Sequence, residues 1–146
     1  MLDAAAMMRG MKPITFTVPG DPVPQPRARI TTRGKFAHAY TPKAHPINDY
    51  RDAISQAAIE AMGEAEPTTE CVSVVIDAVF ARPKSHMTKR GVKPTAPKLP
   101  RPDCDNIAKG VLDALALIVW LDDTLVQRLV VEKSYGDEAR TTVRVQ

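Results

Sequence analysis

Five aspartates and one lysine crowd into residues 101 to 123, RPDCDNIAKGVLDALALIVWLDD: Asp103, Asp105, Asp113, Asp122 and Asp123 around Lys109. Carboxylates that face one another repel and raise one another's pKa unless a cation neutralises them. Hard oxygen ligands of this kind suit Mg²⁺ or Mn²⁺, which complete their shells with water or substrate phosphate. An ion so held lowers the pKa of a bound water, orients a scissile phosphate and stabilises charge on the leaving oxygen. An ammonium at Lys109 adds positive charge for the transition state. The chemistry that fits is phosphodiester hydrolysis.

A plainer account of the same residues competes with this one. Acids favour the first turn of a helix, so Asp103 or Asp105 suits an N-terminal cap. Lys109 stands four residues from both Asp105 and Asp113, where an exposed helix pair contributes only ~0.2–0.5 kcal/mol. Capping and pairing would explain the helix, but not the return to acid at Asp122 and Asp123. A strand starting at Leu121 would send those two to opposite faces, so that one of them joins the cluster.

The elements that must position these residues follow from periodicity. ITFTV (14 to 18) alternates as a strand, ended by the Pro-Gly of VPGDPVPQP. The next segment, RARITTRGKFAHAYTPKAHP, reads as a surface loop or loose hairpin. Ile47, Tyr50, Ile54, Ala57, Ala58 and Met62 recur at helical spacing from Pro46 to Met62, with Gly63 as the stop. CVSVVIDAVF (71 to 80) alternates at period two and predicts a strand. Residues 82 to 102 hold five prolines and seven Lys or Arg without an acid, a composition that predicts a long structureless loop. A helix is expected over Asn106–Leu117, then a closing β-hairpin from VWLDDTLVQRLVVEKSYG and ARTTVRV with its turn at Gly136-Asp137. The order implies one α+β domain, a mixed sheet with helices on one face. It spans residues 13 to 146, with residues 1 to 12 as a disordered N-terminal extension.

The net charge of +3 is unevenly spread: residues 1 to 102 carry 15 Lys and Arg against 9 acids, and residues 103 to 146 carry 5 against 8. One acid-free basic stretch holds Arg27, Arg29, Arg33, Lys35 and Lys43. The other holds Arg82, Lys84, Lys89, Arg90, Lys93, Lys98 and Arg101. Two basic arms around an acidic knot suit a protein that embraces a polyanion, DNA or RNA. Phe36 and Tyr40, inside the first arm, are expected to pack on the domain, the alternative being that they stack on or wedge between bases. His38, His45 and His86 are scattered and receive no metal or general-base role, although His86 lies where it can touch phosphate. Cys71 and Cys104 form no CxxC pair and have no His at metal spacing, which makes a zinc site and a disulfide scaffold poor readings. No signal peptide and no membrane span is read in the chain, and a cytoplasmic protein is expected.

PDCDNIAKGVLDAL…WLDD resembles the RusA family of Holliday junction resolvases, whose signature is D-x-D-N…K…D-A-L followed by a hydrophobic residue or aromatic and D-D. VPGDPVPQPRAR and FARPKSH extend the resemblance to most of residues 13 to 145. It implies a homodimeric, Mg²⁺- or Mn²⁺-dependent endonuclease, often encoded by phages or prophages, that makes paired symmetric nicks in four-way DNA junctions during recombination and repair. By position, the essential acids and metal ligands match Asp103, Asp105 and Asp123, and the catalytic lysine matches Lys109. Asp122 and Asp113 are additional candidates, and the two basic arms are the DNA-binding segments. Cys104 stands where Leu or Val is more usual. Two-fold symmetry would supply the two equivalent sites that paired cuts require. Two rival readings are a metal-dependent nuclease of other branched DNA and a non-catalytic DNA-binding accessory protein.

Overall fold

A computed structural model describes residues 11 to 32 and 34 to 146. Residues 1 to 10 of the expected N-terminal extension, and Arg33 of the first basic arm, lie outside the described residues. Ten elements follow in order: β1 (Ile14–Pro19), β2 (Arg29–Thr31), β3 (His38–Tyr40), α1 (Pro46–Met62), β4 (Val72–Ala81), β5 (Met87–Thr88), β6 (Gly91–Val92), α2 (Cys104–Leu115), β7 (Val126–Gly136) and β8 (Arg140–Val145). The expected α+β architecture is present, a mixed sheet covered on one face by two helices.

The helix α1 occupies the predicted span because both of its ends are specified. The His45 imidazole accepts the Ile47 amide at 3.0 Å, Pro46 occupies the first turn, and Gly63 stops the helix at a positive φ of 58°. Ile47, Tyr50, Ile54, Ala58 and Met62 are buried, one face of the helix laid on the sheet. His45 is therefore a structural cap. Tyr50 also makes a polar contact inside the core. Its hydroxyl lies 2.6 Å from Thr141 Oγ1, and Thr141 is fully buried.

Burial pushes the Tyr50 phenol above its ordinary pKa, and the Thr141 hydrogen bond pulls it partly back. A raised acid means stability that is complete below the ordinary phenol pKa and lost as pH rises through the folded one. Tyr50→Phe leaves the Thr141 hydroxyl without its partner, at an expected cost of ~1–3 kcal/mol. Urea unfolding should show a lower midpoint with an unchanged slope.

The strand order β1-β8-β4-β7 corrects the expected closing hairpin. β8 is inserted between β1 and β4, antiparallel to both, while β7 runs parallel to β4 as the outer strand. β7 and β8, neighbours in sequence, therefore do not pair, because the link between them crosses the end of β4. The packing at Gly136 shows how closely: a β-carbon there would sit 2.7 Å from Val79 Cγ1. Alternate residues of β4, Val72, Val74, Ile76 and Ala78, meet Val143 and Val145 of β8 and the helices in one core.

Two further expectations shift. The first half of the segment 82 to 102 is structured, a turn of 3₁₀ helix at Lys84–His86 leading into the β5–β6 hairpin, while residues 93 to 102 carry no helix or strand. Proline-rich composition hid short local hydrogen bonding, such as Thr88 Oγ1 to the Gly91 carbonyl at 3.1 Å. The helix α2 starts two residues earlier than predicted and ends two earlier, at Leu115. It stops so that Val119 and Trp120, both fully buried, can fold back into the core. Leu117 turns the chain with φ 68°, and its amide meets the Trp120 carbonyl at 2.8 Å.

Candidate active site

The helix α2 opens with the two acids the sequence singled out. Asp103 is the N-cap in extended conformation and Asp105 lies in the first turn, yet the Asp103 side chain makes no capping bond. Both are exposed, and neither side chain forms a hydrogen bond or ion pair among the described residues. Capping thus fails to account for Asp103. Two bare carboxylates stand where the amides and dipole of the helix favour negative charge.

Lys109 follows one turn later, its side chain 63% exposed, and its Nζ lies 3.9 Å from Asp113 Oδ2 rather than pairing with Asp105. Asp113 is shared: Arg51 Nη2 of α1 is also 3.9 Å from the same oxygen. Asp113 therefore sits between two cations, which favours the plainer pairing account for this residue. Arg51 further donates to Gln25 Oε1, and the Gln25 amide donates to the Asn106 carbonyl at 2.9 Å. The segment before the first basic arm is thus fastened to α2 beside Asp105. Gly110 permits the close crossing, since a β-carbon there would meet Ile47 Cδ1 at 3.2 Å and the Val23 carbonyl at 3.7 Å. Arg51 was not legible as a site neighbour, because its partners lie far away in sequence.

The second acidic pair does not begin a strand as expected. Residues Asp123–Leu125 form a 3₁₀ turn, and β7 starts only at Val126. Asp122 caps that turn, its Oδ1 accepting the Thr124 amide at 2.9 Å, and this bond holds its carboxyl below the ordinary pKa. Asp123 Oδ1 accepts the indole N–H of Trp120 at 2.8 Å. One oxygen of Asp123 is thereby oriented by a buried side chain, while Asp122 is engaged locally. The signal for Trp120 was its placement three residues before Asp123 in an otherwise aromatic-poor chain.

The basic residues divide by exposure. Arg27, Arg29, Lys35, Lys84, Lys89, Arg90, Lys93, Lys98 and Arg101 are exposed, with Arg29 on the β2–β3 hairpin. Arg82 is half-buried and has structural duties: its guanidinium lies 4.4 Å from the Tyr135 ring centroid and donates to the Pro97 carbonyl at 3.1 Å. His86 meets the same ring edge-on, with centroids 5.7 Å apart. Phe36 and Tyr40 were expected to pack on the domain, but Phe36 is 74% exposed and Tyr40 46%. Nearby Ile30 is exposed as well, so the hairpin presents apolar and cationic groups together. Cys71 and Cys104 are free thiols.

Among the described residues no group of three His, Cys, Asp or Glu side chains is close enough to share a metal ion. Asp103, Asp105 and Asp123 are therefore not drawn together into one cluster. Mg²⁺ nevertheless needs only one or two protein carboxylates alongside waters and substrate phosphate, and the unpartnered Asp103 and Asp105 are hard oxygen donors of that kind. The donor chemistry fits a divalent ion. Among the described residues no helix is long and apolar enough to cross a membrane.

Comparison with known proteins gives this arrangement a family. YqaN of Bacillus subtilis (strain 168), described as an uncharacterized protein, is 32% identical over 138 residues, covering 91% of this chain and 95% of that protein. Residues 19–146, which contain both basic arms, α2 and the acid pair before β7, match the Endodeoxyribonuclease RusA family. The chain belongs to the RusA family of endodeoxyribonucleases.

Proposed function

We propose that this chain is a divalent-metal-dependent endonuclease that resolves four-way DNA junctions by paired nicks, acting as a homodimer in recombination and repair. The observation that carries the reading is the pair of bare carboxylates, Asp103 and Asp105, one turn before Lys109 and flanked by exposed basic segments. Asp103 and Asp105 would hold Mg²⁺ or Mn²⁺, and Asp123, by its match to the family's third acid, would complete the set on ion binding. When bound, the ion supplies an activated water and charge stabilisation at the phosphate.

The protein's own groups do the rest. The Lys109 ammonium places positive charge beside the phosphate, and Asp113, already neutralised by Arg51, steers that ammonium from one side. The exposed residues of the two arms bind backbone phosphates and shape rather than sequence, since they offer Lys and Arg without a recognition helix. Two copies would place two such sites on the symmetric strands of a junction.

The exposed Phe36 favours the wedge over packing on the domain. Stacking of one aromatic on a base contributes ~1–3 kcal/mol, so Phe36→Ala should weaken junction affinity by ~5-fold or more while leaving the melting temperature unchanged. A gel-shift titration checks this, and unchanged affinity would remove the wedge. The substrate class is tested by cleavage of a four-way junction, a fork and a linear duplex at equal concentration. Preference for the junction supports resolution, preference for the fork supports a nuclease of other branched DNA, and equal cutting of duplex rules out the resolvase reading.

A further inference from the structure

The backbone that carries Asp103 is held from the sheet. Lys133 lies on β7 opposite Ala78, on the face that meets the helices, and its Nζ donates to the Pro102 carbonyl at 2.8 Å. That carbonyl belongs to the peptide joined to the Asp103 nitrogen. Lys133 is half-buried, and among the described residues no carboxylate lies within ion-pair distance of it. Withdrawing an ammonium from water is costly, so a lysine spent on a neutral carbonyl needs a reason other than charge pairing.

The geometry of Asp103 supplies one. Its side chain makes no capping bond, so among the described residues its direction at the start of α2 is set through the backbone: by its own carbonyl, which accepts the Ile107 amide at 3.1 Å, and by the preceding peptide that Lys133 holds. Two residues along the same face of β7, Tyr135 carries Arg82 and His86. Both ends of the basic loop, Arg82 and Pro102, therefore rest on alternate side chains of one strand. A carboxylate that must meet a cation in a fixed direction gains from such support, because groups that orient a ligand typically change metal affinity or activity ~10–100-fold when removed.

We propose that Lys133 is a positioning residue for Asp103: by gripping the Pro102 carbonyl it sets the direction from which the Asp103 carboxylate meets a divalent ion. The inference rests on Asp103 being a metal ligand. Its test is Mn²⁺ binding to the full chain, followed through the electron paramagnetic resonance signal of free Mn²⁺, with thermal melting alongside. The variants are Lys133→Met, Lys133→Arg, Asp103→Asn and the Lys133→Met/Asp103→Asn double substitution.

Lys133→Met should weaken Mn²⁺ binding about tenfold without a change in melting. Lys133→Arg, which keeps a donor, should recover most of that loss. In the Asp103→Asn background the Lys133→Met effect should largely vanish, as expected for two residues acting through one another. Wild-type affinity in Lys133→Met, additive losses in the double variant, or no recovery in Lys133→Arg would each overturn the proposal, as would a wild type that binds no Mn²⁺. Should Lys133→Met fail to fold, Lys133→Gln, too short to reach Pro102 but still polar, takes its place with the same expectations. A wild type that shows this Mn²⁺ pattern yet leaves four-way junctions uncut would overturn the resolvase reading and leave the role of Lys133 standing.

Discussion

Asp105→Asn is expected to abolish junction cleavage while leaving binding intact or tighter. The side chain is exposed and without a partner, so the folded state loses only its interaction with the helix terminus, ~0.3–1 kcal/mol. Removal of one negative charge close to phosphate lessens repulsion, which is why affinity should hold or rise. An amide oxygen, in contrast, is a poor substitute for a carboxylate toward a hard divalent ion. Gel-shift titration and cleavage on the same labelled junction separate the two effects. Unaltered cutting would return the acids of α2 to the role of helix termini and favour an accessory DNA-binding protein.

Lys109→Ala should divide turnover from binding in the same direction but for a different reason. Loss of a single charge-stabilising group aimed at a developing oxyanion costs ~10²–10³ in rate. Binding should suffer much less, because Lys109 is one cation among many exposed ones; the dependence of log affinity on log salt should fall by about 1. Stability should scarcely change. The pair with Asp113 is an exposed helix contact of ~0.2–0.5 kcal/mol, and Asp113 retains Arg51 as a neighbour. Single-turnover rates alongside salt titrations of binding read both quantities, and equal losses in the two would place Lys109 with the phosphate-binding arms instead.

What could be read in the sequence was whatever local periodicity controls. The helix α1 is legible because its cap, its buried stripe and its stop all lie within one segment, and β4 because its alternation is undisturbed. The position of β8 was not legible, since its insertion between β1 and β4 depends on pairing with distant partners and on the close approach of Gly136 to Val79. At the site, the residues with chemical character stood out, but their supports did not. Asp122 and Asp123 looked interchangeable by strand geometry, whereas a 3₁₀ turn separates them into a local cap and a carboxylate held by Trp120. Arg51 and Lys133 act across 62 and 31 residues of chain, on Asp113 and Pro102, where no spacing rule reaches.

That distribution also explains why the basic arms are less legible than the acids. Charge density predicts contact with a polyanion but not which cations are spent internally, and Arg82 turns out to hold Tyr135 and Pro97. Likewise an aromatic in a turn-rich segment favours packing by default, yet the short β2–β3 hairpin leaves Phe36 with little surface to cover it.

The central claim is that the acids opening α2 support metal-dependent cleavage of a DNA junction. Its most direct test is strand-by-strand mapping of products from a mobile four-way junction, with and without Mg²⁺, for the wild type and Asp105→Asn. The account predicts symmetric nicks in one pair of opposing strands by the wild type with Mg²⁺, and none without the ion or with Asp105→Asn. Cleavage that persists in Asp105→Asn, or that proceeds equally without a divalent ion, would contradict it.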